Sequence, residues 1–135
     1  MLRGSCLCGT VRYEISGALY TSSHCHCGQC RKGHGAAFAS YANVDACDFR
    51  FVSGADAVAT YRASTSARRT FCRHCGSNLQ WCADATPERF AVALGTLDDD
   101  PQIEVKRHIF VAFKVPWYLL NDGLPQHADG GPDGY

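Results

Sequence analysis

Apolar and polar residues alternate in many short runs along this chain, and few of the runs are long. Thr10-Val11-Arg12-Tyr13-Glu14-Ile15 has period two, which predicts a strand with Val11, Tyr13 and Ile15 on one face. Gly17 marks a turn, and Ala18 to Ser23 predicts a second strand. Further strands are expected at Ala36 to Tyr41, Phe49 to Val52, Val58 to Arg62, Arg68 to Phe71, Asn78 to Cys82, Arg89 to Leu94 and His108 to Phe113. Ser53-Gly54 and Asp98-Asp99-Asp100-Pro101 read as solvated turns, and the glycine-rich stretch from Gly28 to Gly35 as a loop or at most a short helical turn. Short strands dominate.

With 135 residues the chain has the size of one domain able to bury a core, and no repeat or linker divides it. Residues 1–122 are expected to form that domain, with Pro116 to Leu120 docking on its body. Residues 123–135, rich in glycine, proline and aspartate, are expected to fray. Thirteen basic residues balance thirteen acidic ones, so no overall field draws the chain to nucleic acid or anionic lipid. No apolar run approaches the roughly 18 residues of a spanning helix, which argues against a membrane partner. Met1 to Ser5 carries no secretory leader, so the expected compartment is the reducing cytoplasm.

In that compartment nine cysteines point to metal rather than to disulfides. Seven fall into three motifs: Cys6-Leu7-Cys8, Cys25-His26-Cys27-Gly28-Gln29-Cys30 and Cys72-Arg73-His74-Cys75. Cys6, Cys8, Cys72 and Cys75 together make one four-thiolate set, the composition of a closed structural zinc site. Cys25, Cys27 and Cys30 leave an ion one ligand short, and an open position marks a catalytic type of zinc. The alternative is closure by His24, His26 or His34.

Zinc with three thiolates is formally minus one, which suits thiol chemistry better than water activation. Arg31 and Lys32 follow Cys30 directly and stand either to offset that charge and hold a substrate carboxylate or to serve as an ordinary solvated pair. Cysteine–histidine nucleophilic catalysis by Cys25 and His26 is disfavoured because neighbours on a strand face opposite ways. Cys47 and Cys82 are expected to be buried apolar residues, and Trp81, Trp117 and Tyr13 core or interface residues. His108 falls on a strand and is not expected to be a ligand.

These residues carry a resemblance. Gly4 to Tyr13, Cys25 to Lys32 and Phe71 to Leu79, followed by Ala93 to Asp98, His108-Ile109, Pro116-Trp117 and Gly123 to Pro125, resemble the glutathione-dependent formaldehyde-activating enzyme family, the CENP-V/GFA domain. The resemblance implies an all-β fold of the β-tent type, with short antiparallel sheets around a structural zinc. It also implies Cys6, Cys8, Cys72 and Cys75 as ligands of the structural Zn2+, and Cys25, Cys27 and Cys30 as ligands of a second, catalytic Zn2+. The implied activity is that of a carbon–sulfur lyase forming or breaking S-hydroxymethylglutathione, with glutathione as the thiol partner and water or His26 moving the proton. The competing readings are a zinc-stabilised binding module without catalysis and, more weakly, a redox sensor that releases zinc on oxidation. Oligomeric state has no sequence signal.

Overall fold

Val11, Tyr13 and Ile15 are all buried, on the face that their alternation assigns them. The structure, a computed structural model describing residues 1–132, places that strand, β2 (Arg12–Ile15), in the middle of a three-stranded antiparallel sheet. Its neighbours are β1 (Leu2–Ser5) and β5 (Phe49–Ser53). The pattern gave no sign of β1, because Arg3-Gly4-Ser5 is polar and has no alternation to read. Pairing with β2 and anchorage to a distant turn make it a strand. Arg3 donates to both Asp99 carboxylate oxygens and Ser5 Oγ to Asp98, so the acidic turn is tied down rather than simply solvated. Gly4 is required there, since the Tyr13 ring occupies the space a Cβ would need.

The second sheet has seven strands in the order β10-β3-β4-β9-β8-β7-β6. They are β3 (Tyr20–Cys25), β4 (Ala39–Asp45), β6 (Val58–Arg62), β7 (Ala67–Cys72), β8 (Asn78–Ala83), β9 (Arg89–Ala93) and β10 (His108–Ile109). All pair antiparallel except β10, which runs parallel to β3 with His108 opposite His24 and Ile109 opposite Cys25. Tyr13 and Ile15 of the first sheet pack with Val44 and Val92 of the second in a wholly apolar cluster, while two other core clusters each contain cysteines. Two sheets of short strands with a single α-helix among the described residues are the all-β architecture expected.

Several local expectations change. Gly28–His34, expected as a loop or at most a short helical turn, is a helix, α1, of two turns. Its ends explain this: Cys27 caps the N-terminus by accepting from Cys30 N–H, and Gly35 takes the left-handed conformation at the C-terminus and donates to the Arg31 carbonyl. The strand expected over His108 to Phe113 stops at Ile109, because Phe110 adopts positive φ and a 3-10 turn over Val111–Phe113 follows. The segment expected to fray from Gly123 is hydrogen-bonded where it is described: His108 N–H donates to Pro125, Phe110 N–H to Asp129 and His127 N–H to His108. Its last residues, 133–135, lie outside the described part. Trp117 and Leu119, expected to dock, are exposed, and from that segment the Tyr118 ring packs edge-on against Phe38. Cys82 is buried as expected, whereas Cys47 is exposed on the 3-10 turn Ala46–Asp48.

Candidate metal centres and their cavity

The sulfurs of Cys6, Cys8, Cys72 and Cys75 lie within 4.8 Å of one another. A tetrahedral ion with sulfur ligands at about 2.3 Å sets those sulfurs about 3.8 Å apart. The separations of Cys6 from Cys8, 3.6 Å, and of Cys8 from Cys72, 3.9 Å, match that requirement. Cys6 and Cys8 sit on the loop after β1, and Cys72 and Cys75 span the end of β7 and the turn that follows it. Val11 N–H donates to Cys6 Sγ, and the Gly9 N–H bonds back to the Cys6 carbonyl. After Cys75, Gly76 at positive φ turns the chain so that its N–H reaches the Cys72 carbonyl, the tight turn that the sequence anticipates. The Ser77 hydroxyl and backbone hold the Cys75 thiol down at about 5, favouring the thiolate that a metal needs.

The second cluster joins Cys25, at the end of β3, to Cys27 and Cys30 at the start of α1, again with all sulfurs within 4.8 Å. Cys25 and Cys30 are buried and Cys27 half-buried. The side chains of Cys25 and Cys30 and the Cys30 backbone N–H direct hydrogen bonds at Cys27 Sγ, which pulls Cys27 down and pushes Cys25 up. Sulfur ligands in this number and spacing fit a zinc ion.

These three cysteines open onto a cavity of about 530 Å³. Trp81, Ala91, Ile109, Phe110 and Phe113 form apolar parts of its wall, and Thr21, Ser23, Gln29, Asn43 and Ser64 bring neutral polar groups. Among the described lining residues the cation is Arg69, a residue of β7 that is 6% exposed. Its guanidinium donates to Cys30 Sγ at 3.4 Å and to Tyr41 Oη at 3.1 Å, while its Nε–H has no partner. Tyr41 Oη in turn lies 2.9 Å from His34 Nε2, at the far end of α1. Both ends of the helix that carries Cys30 are therefore tied to one arginine–tyrosine pair.

Arg69 takes the charge-offsetting place for which Arg31 and Lys32 were one of two readings, the other being an ordinary solvated pair. Arg31 turns back to donate to the His26 carbonyl, Lys32 is exposed, and neither lines the cavity. A signal for Arg69 was present: in a strand with two adjacent arginines, period two sends one of them inward. Arg68 is half-exposed and Arg69 buried.

None of the three histidines considered as a fourth ligand joins the cysteine triplet. His34 bonds Tyr41, and His24 Nδ1 lies 2.8 Å from Ser40 Oγ. His26 is fully buried, with Nε2 2.8 Å from His108 Nδ1, and His108 Nε2 lies 2.8 Å from Asp122 Oδ2. If His108 Nε2 carries the proton that Asp122 accepts, its Nδ1 must accept from His26 Nε2–H. Burial, with His108 and His24 beside it, lowers His26 to about 4, so it stays neutral at physiological pH. It does not line the cavity, which removes it as the proton donor considered above. His108 and Asp122 carry no local sequence signal for this chain of contacts, because only the parallel pairing of β10 with β3 brings them to His26. No helix among the described residues is long and apolar enough to cross a membrane.

Residues 1–113 match the family model described as glutathione-dependent formaldehyde-activating enzyme. A Halomonas elongata protein, to which that enzyme name is given provisionally, is 32% identical over 126 residues, covering 87% of this chain and 79% of the relative. A crystal structure of a Rhodobacter sphaeroides protein superposes with a TM-score of 0.61 at 30% identity, covering 73% of this chain and 89% of the other. With a family match over most of its length, and the architecture and cysteine clusters described above, the chain belongs to the glutathione-dependent formaldehyde-activating enzyme family.

Proposed function

We propose that the protein is a zinc-dependent carbon–sulfur lyase that forms or breaks thiol–aldehyde adducts of the S-hydroxymethylglutathione type. The observation that carries this reading is the Cys25, Cys27 and Cys30 triplet, which faces a ligand-sized cavity with no histidine closing it. Cys6, Cys8, Cys72 and Cys75 hold a structural zinc, and the triplet holds a second. Bound there, zinc supplies Lewis acidity and an open position that suits a thiolate.

In the forward direction a thiol R–SH and formaldehyde give R–S–CH2–OH. The carbon–sulfur bond forms as the carbonyl π bond opens, and the thiol proton ends on the former carbonyl oxygen. Arg69 keeps a permanent positive charge at Cys30, offsetting the formal minus one of three thiolates and a divalent ion so that a further anionic sulfur is tolerated. Gln29, Ser23 and Thr21 lie on the wall as hydrogen-bonding groups able to orient the hydroxyl of the adduct. The His26–His108–Asp122 chain sets the strand that carries Cys25 against β10.

The test is the rate at which zinc-replete protein equilibrates formaldehyde, glutathione and S-hydroxymethylglutathione, followed by exchange NMR against the uncatalysed background. The expected result is acceleration that disappears in Cys27→Ser while the circular dichroism and thermal melt stay close to those of the parent. An unchanged rate with the parent protein removes the lyase reading.

A further inference from the structure

We infer that Arg31 selects thiols that carry a carboxylate, holding the glycyl carboxylate of a glutathione-type peptide at the cavity rim while the peptide sulfur meets Cys25, Cys27 and Cys30. The inference rests on the lyase reading and adds a specificity-determining residue to it. A cavity of about 530 Å³ is far larger than formaldehyde, so most of the volume serves the group attached to sulfur. Arg69 is engaged with Cys30 Sγ and Tyr41 Oη, so a carboxylate brought by that group needs another cation.

Arg31 stands where that need arises. It is half-buried, and its Nε donates to the His26 carbonyl at 3.3 Å, which fixes the guanidinium beside the segment that carries the triplet. Its Nη2 lies 3.8 Å from the point where a Cβ on Gly28 would stand, and Gly28 lines the cavity. No carboxylate among the described residues pairs with Arg31. Its terminal nitrogens are therefore available to an arriving one, and the guanidinium fork matches that group with two parallel hydrogen bonds. In glutathione the γ-glutamyl carboxylate has an ammonium beside it, which leaves the net negative charge on glycine. That carboxylate lies about 7 Å from the sulfur in an extended peptide. Such a span suits a cation that follows Cys30 in the chain and reaches back over Gly28. Between the two, Gln29 donates Nε2 to the Ala63 carbonyl, which leaves its side-chain oxygen to accept a peptide N–H at the cavity wall.

The experiment is calorimetric titration of the full-length, zinc-loaded protein and of Arg31→Met with glutathione and with its glycyl ethyl ester, paired with exchange NMR of both formaldehyde adducts. The parent is expected to bind glutathione about tenfold more tightly than the ester. Arg31→Met should lose that preference by weakening glutathione alone, and Arg31→Lys should restore part of it. Equal weakening of both thiols would assign Arg31 to support of the His26 carbonyl and overturn the inference. A parent protein without preference overturns it as well, whether or not Arg31→Met folds, and leaves the lyase reading standing if both adducts are turned over. Preference for glutathione that depends on Arg31, with neither adduct turned over, keeps the assignment of Arg31 and removes the lyase.

Discussion

The four-cysteine cluster draws its sulfurs from two distant segments, with Cys8 and Cys72 separated by 64 positions, and packs them among Val11, Ala57 and Leu79. The three-cysteine cluster takes all its sulfurs from six consecutive residues and sets them against a cavity and a buried arginine. Ligand chemistry is the same in both, so the surroundings make the difference. A metal in the first would close a long loop and tie the N-terminal segment to the β7–β8 hairpin. A metal in the second would link only the end of β3 to the start of α1, elements already separated by just His26 and Cys27, so it has little folding to do. Coordination number and covalent distance together separate a site that holds the chain from one that is free to take a ligand.

The largest expected effect breaks that comparison directly. Cys72→Ser should cost several kcal/mol of stability, on the scale of the roughly 10 kcal/mol that a structural zinc contributes. Cys27→Ser should cost only about 1 kcal/mol. Denaturant melts of the two variants, with zinc counted per chain, measure the difference; equal losses would mean that both clusters are structural. Next in size, Arg69→Met removes a charged hydrogen bond worth about 1.5–3 kcal/mol. With that charge gone, thiol affinity should fall about 10- to 100-fold. Titration of the zinc-loaded variant with thiol reads this, and Arg69→Lys, which keeps the charge but loses the fork, should restore part of it. A variant that binds thiol normally would assign Arg69 to packing alone.

Tyr41→Phe is the smallest and sharpest probe. It removes the oxygen that Arg69 and His34 share while keeping the ring in the core beside Cys30. A loss of about 0.5–1.5 kcal/mol in stability is expected, since a hydrogen-bonding hydroxyl is deleted from a buried position. Thiol affinity should drop by only a fewfold, because the Arg69 charge stays. A decrease as large as that of Arg69→Met would show that the tyrosine positions the guanidinium.

The positions of most strands were legible because a half-buried strand writes its burial into every second residue, as Val11, Tyr13 and Ile15 do. Where burial comes from a distant partner, the pattern is silent. β1 is polar and exists through β2, Asp98 and Asp99, and the described end of the chain is held by β10 rather than by any periodicity of its own. α1 is longer than the short turn the sequence suggests for a different reason: its glycines lower helix propensity, but Cys27 and Gly35 cap it at both ends. Arg31 and Lys32 drew attention by adjacency to Cys30, whereas the charge at the site comes from 39 positions away.

The grouping of the cysteines is the part that the sequence determined by itself. Cysteines in CxC and CxxC steps carry a chelating geometry within two or three residues of backbone, so the partition into four and three follows from counting. Tertiary structure alone decided that the triplet stays free of histidine, that Arg69 is its cation, and that an apolar cavity faces it. Each of those depends on which strands lie side by side, and strand order is set by the packing of whole faces rather than by any short run of residues.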